Sequence, residues 1–273
     1  RDAAARARAA NQMYDRGAIF SDPHATSILG MGQRELDESL LSFAELPWWP
    51  SVRMLMAARS RLAEDNLARG VEAGVRQYVL LGAGLDTFAV RNPHAHAGLR
   101  VFEVDHPATQ AWKRDLLEQG SLESGAIFAP IDFERQDLAT ELTRAGFDFA
   151  APACFAWLGG VMYLTKTAIA STFRLIGALP EESSVTFDYI APPANPSQAA
   201  FFESFQNDVR KVGEPASPPT APAELAAELH SFGFTEMQDY SNAELISHLG
   251  GKPTPHCENS VFRVMYARKA RPS

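Results

Sequence analysis

Five consecutive residues, Gly82-Ala83-Gly84-Leu85-Asp86, carry the strongest chemical signal in the chain. They follow directly on an apolar run, Gln77-Tyr78-Val79-Leu80-Leu81. Glycines at the first and third positions let the backbone turn tightly and come close to a ligand. In open α/β sheets, ligands bind at such turns, beyond the carboxyl ends of the strands. A dinucleotide fingerprint would place its third glycine where Thr87 stands, just after Asp86. A pyrophosphate wants bare backbone amides at a helix N-terminus, and a carboxylate there repels it. An acidic turn suits a nucleotide without phosphate better. S-adenosylmethionine (SAM), with a cationic ammonium and sulfonium, is such a ligand.

Two more strand ends supply acids. Glu103, with Val104 beside it, lies about 20 residues past the glycines, where an acid accepts both hydroxyls of a ribose. Asp105 points to the same side of an extended chain. It either supports Glu103 or caps the next helix, whose first turn holds Pro107. Ile131-Asp132-Phe133 closes a third run. There an acid plus an aromatic can bond an adenine amino group and pack on its face, or form an ordinary cap before Glu134.

The acceptor side is less legible. Tyr163 and Tyr189 close the fourth and fifth runs, where they either orient a substrate or pack in the core. A carboxylate acceptor is already ionised at neutral pH and needs positioning. A hydroxyl acceptor needs a base. His230, His248 and His256 are the candidates, and the last two flank Gly250-Gly251. A surface or capping role is the more ordinary reading of each. Trp48, Trp49, Phe201, Phe202 and Phe205 either wall an apolar substrate chamber or simply pack cap against sheet.

These residues need a scaffold that brings strand ends together. Apolar runs at 77–81, 100–104, 126–131, 153–158 and 184–189 alternate with helical stretches at 108–118, 138–145 and 166–179. That alternation predicts an α/β fold with a doubly wound, mostly parallel sheet. Strands buried on both faces read as continuous apolar runs, as these do. Residues 1–70 read as a helical cap segment, with a helix start at Ser21-Asp22-Pro23 and a break at Pro47-Trp48-Trp49-Pro50. The nucleotide-binding core spans 71–190, a proline-rich cap insertion 191–222, and residues 223–273 complete the sheet. The last strand, 260–269, reads as an antiparallel edge.

The chain has 273 residues, 46% of them hydrophobic, and a formal net charge of -8. That balance argues against broad nucleic-acid binding, which needs a basic surface. Cys154 and Cys257 lie in no Cys-x-x-Cys or Cys/His cluster, so free thiols and no metal site are expected. Apolar stretches stop well short of the roughly 20 residues of a spanning helix, and no secretory leader is visible. A cytoplasmic location is the expectation.

Four segments, RSRLAEDNL, GVRQYVLLGAGLDTFAVR, VFEVDHPATQAWKRDLL and WLGGVMYLT, taken in order, resemble the actinobacterial SAM-dependent methyltransferases related to the leucine carboxyl methyltransferases. The resemblance runs from about Arg8 to Tyr189. It implies a seven-stranded Rossmann-like sheet with an antiparallel last strand under a helical cap. It also implies SAM as cofactor. The leading expectation is methyl transfer to an oxygen, carboxylate or hydroxyl, of a small apolar or acidic molecule by a monomer or homodimer with no nucleic-acid or membrane partner; an NAD(P)-dependent oxidoreductase and a SAM-binding protein without activity are the alternatives. Residue by residue, it implies that Arg59 pairs with the methionyl carboxylate and that Gly82, Ala83, Gly84 and Asp86 form the SAM turn. Glu103 and Val104 fall at the ribose, and Asp132 and Phe133 at the adenine. Arg91 matches a recurrent arginine for which a structural salt bridge is at least as good a role. Leu158 stands where related carboxyl methyltransferases often carry a glutamate, and Phe88 where an arginine is frequent.

Overall fold

The computed structural model describes residues 2–44, 46, 49–133, 135–211 and 217–271. Three helices come first: α1 (Ala3–Tyr14), α2 (Gln33–Ala44) and α3 (Trp49–Glu72). The alternating part follows as β1 (Gln77–Leu81), α4 (Phe88–Arg91), β2 (Arg100–Asp105), α5 (Pro107–Gln119), β3 (Ala126–Pro130) and α6 (Leu138–Arg144). It continues through β4 (Cys154–Trp157), α7 (Lys166–Gly177) and β5 (Ser184–Ile190). The chain closes with α8 (Pro196–Lys211), α9 (Pro222–Ser231), β6 (Glu236–Ser241), α10 (Asn242–His248), α11 (Pro255–Glu258) and β7 (Phe262–Arg268).

All seven strands form one sheet in the order β3-β2-β1-β4-β5-β7-β6. Strands β1 to β5 pair in parallel, and β7 runs antiparallel to both β5 and β6. The sheet is therefore α/β and doubly wound. Its order reverses between β1 and β4, which makes the carboxyl ends of these two strands the natural ligand crevice.

Burial follows from the apolar runs: every residue of β1, β4 and β5 is buried. Side chains of a strand alternate between faces. Thr186 and Asp188 of β5 meet α3, where Asn66 Nδ2 donates to Thr186 Oγ1 at 3.1 Å and Arg59 pairs with Asp188. Phe187 takes the opposite face, under α7, with its ring 4.7 Å from that of Phe173. Helix α7 ends at Gly177 against the chain that leaves α9. A Cβ on Gly177 would stand 2.1 Å from the carbonyl oxygen of Phe232. Gly177→Ala is expected to cost about 1–3 kcal/mol by overpacking, seen as a lower urea midpoint with an unchanged slope.

Three expectations change. The segment at Ser21-Asp22-Pro23 makes a turn followed by a short 3₁₀ helix, Ser27–Leu29, and the buried Asp22 carboxylate serves distant partners as well as that turn. It receives Arg8 Nε at 3.2 Å, the Thr87 hydroxyl at 2.7 Å and the His24 amide at 3.2 Å. Helix α3 already begins at Trp49, with Pro50 in its first turn, inside the segment expected to break the chain; Pro47 and Trp48 lie outside the described residues. Strand β7 is antiparallel as expected but internal, buried between β5 and β6, so β6 is the edge.

Candidate cofactor site

The site is built from the turn after β1. Gly82 and Gly84 take φ of +64° and +48°, in the left-handed region that favours glycine. Space is not what selects them, since a Cβ on Gly82 would meet nothing within 4 Å. Strand β2 holds the turn from the side. The Val104 carbonyl accepts the amides of Gly82 at 2.8 Å and Ala83 at 3.2 Å. Asp105 Oδ2 accepts the Gly84 amide at 2.6 Å, and its Oδ1 the His106 amide at 2.7 Å.

Asp86 Oδ1 accepts the Phe88 amide at 2.7 Å and so starts α4. Burial pushes its carboxyl up, but Arg8, Lys113 and that amide outweigh burial and hold it below the ordinary value. This corrects the electrostatic argument made from sequence. The charge of the acid in the turn is offset by Arg8 and Lys113 nearby, and its carboxylate is bonded to the Phe88 amide.

Under the turn lies a cavity of about 140 Å³. Residues 82–86 line it together with Arg8 of α1, Arg59 of α3, and Leu158 and Gly159 after β4. Arg8 Nη2 donates to the Leu85 carbonyl at 2.7 Å, so α1 is latched onto the turn. Arg59 Nη1 pairs with Asp188 Oδ2, and Asp188 Oδ1 accepts the Gly159 amide at 2.5 Å. Arg59 Nε is buried and has no hydrogen-bond partner among the described residues. Gly159, at φ +83°, lies close enough to Arg59 that a Cβ would stand 3.1 Å from Nη2. Asp188, like Arg8 and Lys113, carried no functional expectation from sequence. Its signal was an acid inside the otherwise apolar run 184–190.

Glu103 is almost wholly buried at the end of β2. Its Oε2 lies 2.6 Å from Lys113 Nζ, and its Oε1 has no partner among the described residues. Burial raises the Glu103 carboxyl above its ordinary value, against the pull of Lys113. Asp132 is half-buried and 3.6 Å from Arg135. Its carbonyl accepts the amides of Arg135 and Gln136, so it also caps a turn. Phe133 and Tyr163 line a second cavity of about 680 Å³, between the start of α6 and α7. Among the described residues no cluster of three His, Cys, Asp or Glu is placed to hold a metal ion.

Other candidates do not join the smaller cavity. Tyr189 faces away from Asp188, and its hydroxyl donates to Asp239 at 3.1 Å. Burial and Asp239 push that phenol well up, which suits a fixed donor and not a base. His248 is exposed at the end of α10, where its ring sits 4.9 Å from that of Tyr240. His256 is exposed on α11, and neither histidine lines a described cavity. His230 Nδ1 lies 3.2 Å from the Phe234 carbonyl. His248→Ala and His256→Ala are expected to leave cofactor affinity unchanged within about twofold by calorimetry, as exposed sites usually do. Arg91 binds Glu64 with both ends of its fork, at 2.6 and 3.1 Å, and lies over the Phe20 ring. Trp49 stacks on Phe43, and Phe201 and Phe205 meet the Phe262 ring edge-on, all in one apolar cluster of the cap. Cys154 and Cys257 are free and buried.

Residues 2–177 match the family described as leucine carboxyl methyltransferase. Among curated proteins, the chain is 34% identical over 206 residues to the "Putative S-adenosyl-L-methionine-dependent methyltransferase YktD" of Bacillus subtilis, covering 67% of each. It is 33% identical to the similarly named FRAAL3718 of Frankia alni, covering 61% of this chain and 59% of that protein. The chain thus spans about two thirds or less of the length of these relatives. Two solved structures share the fold. A DUF574 family protein of Streptomyces avermitilis superposes with a TM-score of 0.57 at 19% identity, over 89% of this chain and 94% of that one. An O-methyltransferase family protein of Burkholderia thailandensis gives 0.52 at 14%, over 92% and 68%.

Proposed function

Because the chain belongs to the leucine carboxyl methyltransferase family, we propose that it is a SAM-dependent methyltransferase acting on an oxygen of a small molecule. The observation that carries the reading is the turn at Gly82–Asp86 beside a buried Glu103 whose Oε1 has no partner among the described residues. Such an oxygen is costly unless a donor meets it, and a ribose supplies two. The residues present fit a nucleoside amino acid: a glycine turn held open by Val104 and Asp105, cations at Arg8 and Arg59 for a carboxylate, and Asp132 with Phe133 at the next strand end.

When bound, SAM supplies an electrophilic methyl group on sulfur. The chain's own part is to hold, align and keep water out. In this reading Arg59, fixed by Asp188, orients the methionyl end, and the Leu158-Gly159 backbone lines the cavity beside it. Leu158 contributes no charge at a position facing the cofactor, so the polar contacts there fall to backbone groups. An oxygen acceptor, carboxylate above all, agrees with a site in which no described histidine lines the cavity.

The test is transfer of labelled methyl from SAM to a library of small carboxylic acids, phenols and amines. Base-labile product from the acids supports a carboxyl acceptor. Transfer to amines alone would remove oxygen from the proposal.

A further inference from the structure

We propose that Lys113 is a positioning residue for cofactor binding, whose single ammonium fixes the Gly82–Asp86 turn and the free oxygen of Glu103 in one arrangement. The inference rests on the reading of Glu103 as the ribose acceptor. Lysine is almost never fully buried unless paired, and the Lys113 side chain is only 2% exposed. Its Nζ donates to the Asp86 carbonyl at 2.6 Å and to Glu103 Oε2 at 2.6 Å. The first bond ties the turn to α5, and the second ties α5 to β2. Gln110, one turn earlier on α5, donates to the Glu103 backbone carbonyl at 2.8 Å. Helix α5 therefore holds both ends of the acid.

The consequence is directional. With Oε2 engaged by the ammonium, Oε1 is the oxygen left for a ligand, and it is buried and unpaired among the described residues. The charged groups facing Glu103 are Lys113 from α5, Asp86 from the turn and Asp105 from β2. Burial and the two acids push the Glu103 carboxyl up, and Lys113 opposes them. Removing the ammonium therefore makes the acid take a proton at higher pH, and a protonated acid is the weaker acceptor for a diol.

Titration of S-adenosylhomocysteine into the purified chain by calorimetry, from about pH 5 to about pH 9, tests this. Lys113→Met is expected to weaken binding roughly tenfold to a hundredfold, and its affinity should fall away at a higher pH than that of the wild type. Lys113→Arg, which keeps the charge, should recover part of the affinity and move the midpoint back. An unpaired buried carboxylate destabilises the fold, so the neutral pair Glu103→Gln/Lys113→Met is measured alongside and should bind weakly with no such midpoint. Wild-type affinity in Lys113→Met, or weaker binding with an unmoved midpoint, overturns the inference while leaving the ribose reading intact. A wild-type chain that does not bind S-adenosylhomocysteine overturns both.

Discussion

Asp188→Ala is expected to lower stability by about 3–5 kcal/mol, because it leaves the Arg59 guanidinium buried without its counter-charge. The pair lies between α3 and β5, with both side chains almost wholly inaccessible. The same carboxylate accepts the Gly159 amide, so the substitution also frees the loop after β4. Two effects should therefore appear together: a lower urea midpoint and a weaker affinity for S-adenosylhomocysteine. Asp188→Asn keeps an acceptor for Gly159 and loses the charge, and should fall between. Removing both charges with Arg59→Met/Asp188→Leu should return much of the stability, since buried ion pairs are readily replaced by apolar ones. It should not return the affinity, because Arg59 is then gone. An Asp188→Ala chain as stable as the wild type would show that this pair does not hold α3 to the sheet.

Glu103→Ala has the second large effect. It removes the acceptor assigned to the ribose and strands the Lys113 ammonium on one carbonyl. Affinity for the cofactor product should fall by about a hundredfold or more, as expected for losing two bonds to a charged acceptor. Glu103→Gln separates charge from volume and carries a pH signature. Burial raises the Glu103 carboxyl in the fold, so its ionisation opposes folding. Its contribution to stability is greatest at low pH and declines as pH rises from the ordinary carboxylate value through the raised one. Asp86 has the opposite sign. Burial raises it, Arg8 and Lys113 lower it further, and the net depression stabilises the fold above the ordinary value and is lost on acidification. The two partly cancel in the wild type. Urea midpoints taken across the acidic range should therefore fall more steeply in Glu103→Gln.

The parts legible in the sequence were those set by local rules. Five apolar runs gave five parallel strands within a residue or two, because strands covered on both faces leave no other pattern. The turn at Gly82 was readable because two glycines in a left-handed conformation follow a strand. The two-residue period of an extended chain placed Asp105 beside Glu103, but its carboxylate holds the Gly84 and His106 amides and does not bond Glu103. What escaped depends on tertiary contact. Asp22 looked like a helix cap and is a buried anchor for Arg8 and Thr87. Tyr189 sits at a strand end, but its parity sends it to the face opposite Asp188, and nothing in the sequence fixed which face meets α3. Asp188, Lys113 and Arg8 act through partners 129, 10 and 77 residues away in sequence, separations that periodicity does not reach. Asp86 reads from sequence as a free charge, whereas the fold supplies Arg8 and Lys113 to balance it. The choice of SAM therefore rests on the family and on Glu103 more than on the acid of the turn.

The most direct test of the account is a pair of calorimetric titrations on the unmodified chain, one with S-adenosylhomocysteine and one with NADH. The account predicts saturable one-to-one binding of S-adenosylhomocysteine that Glu103→Ala abolishes, and no heat with NADH. Binding of NADH with none of S-adenosylhomocysteine would contradict it.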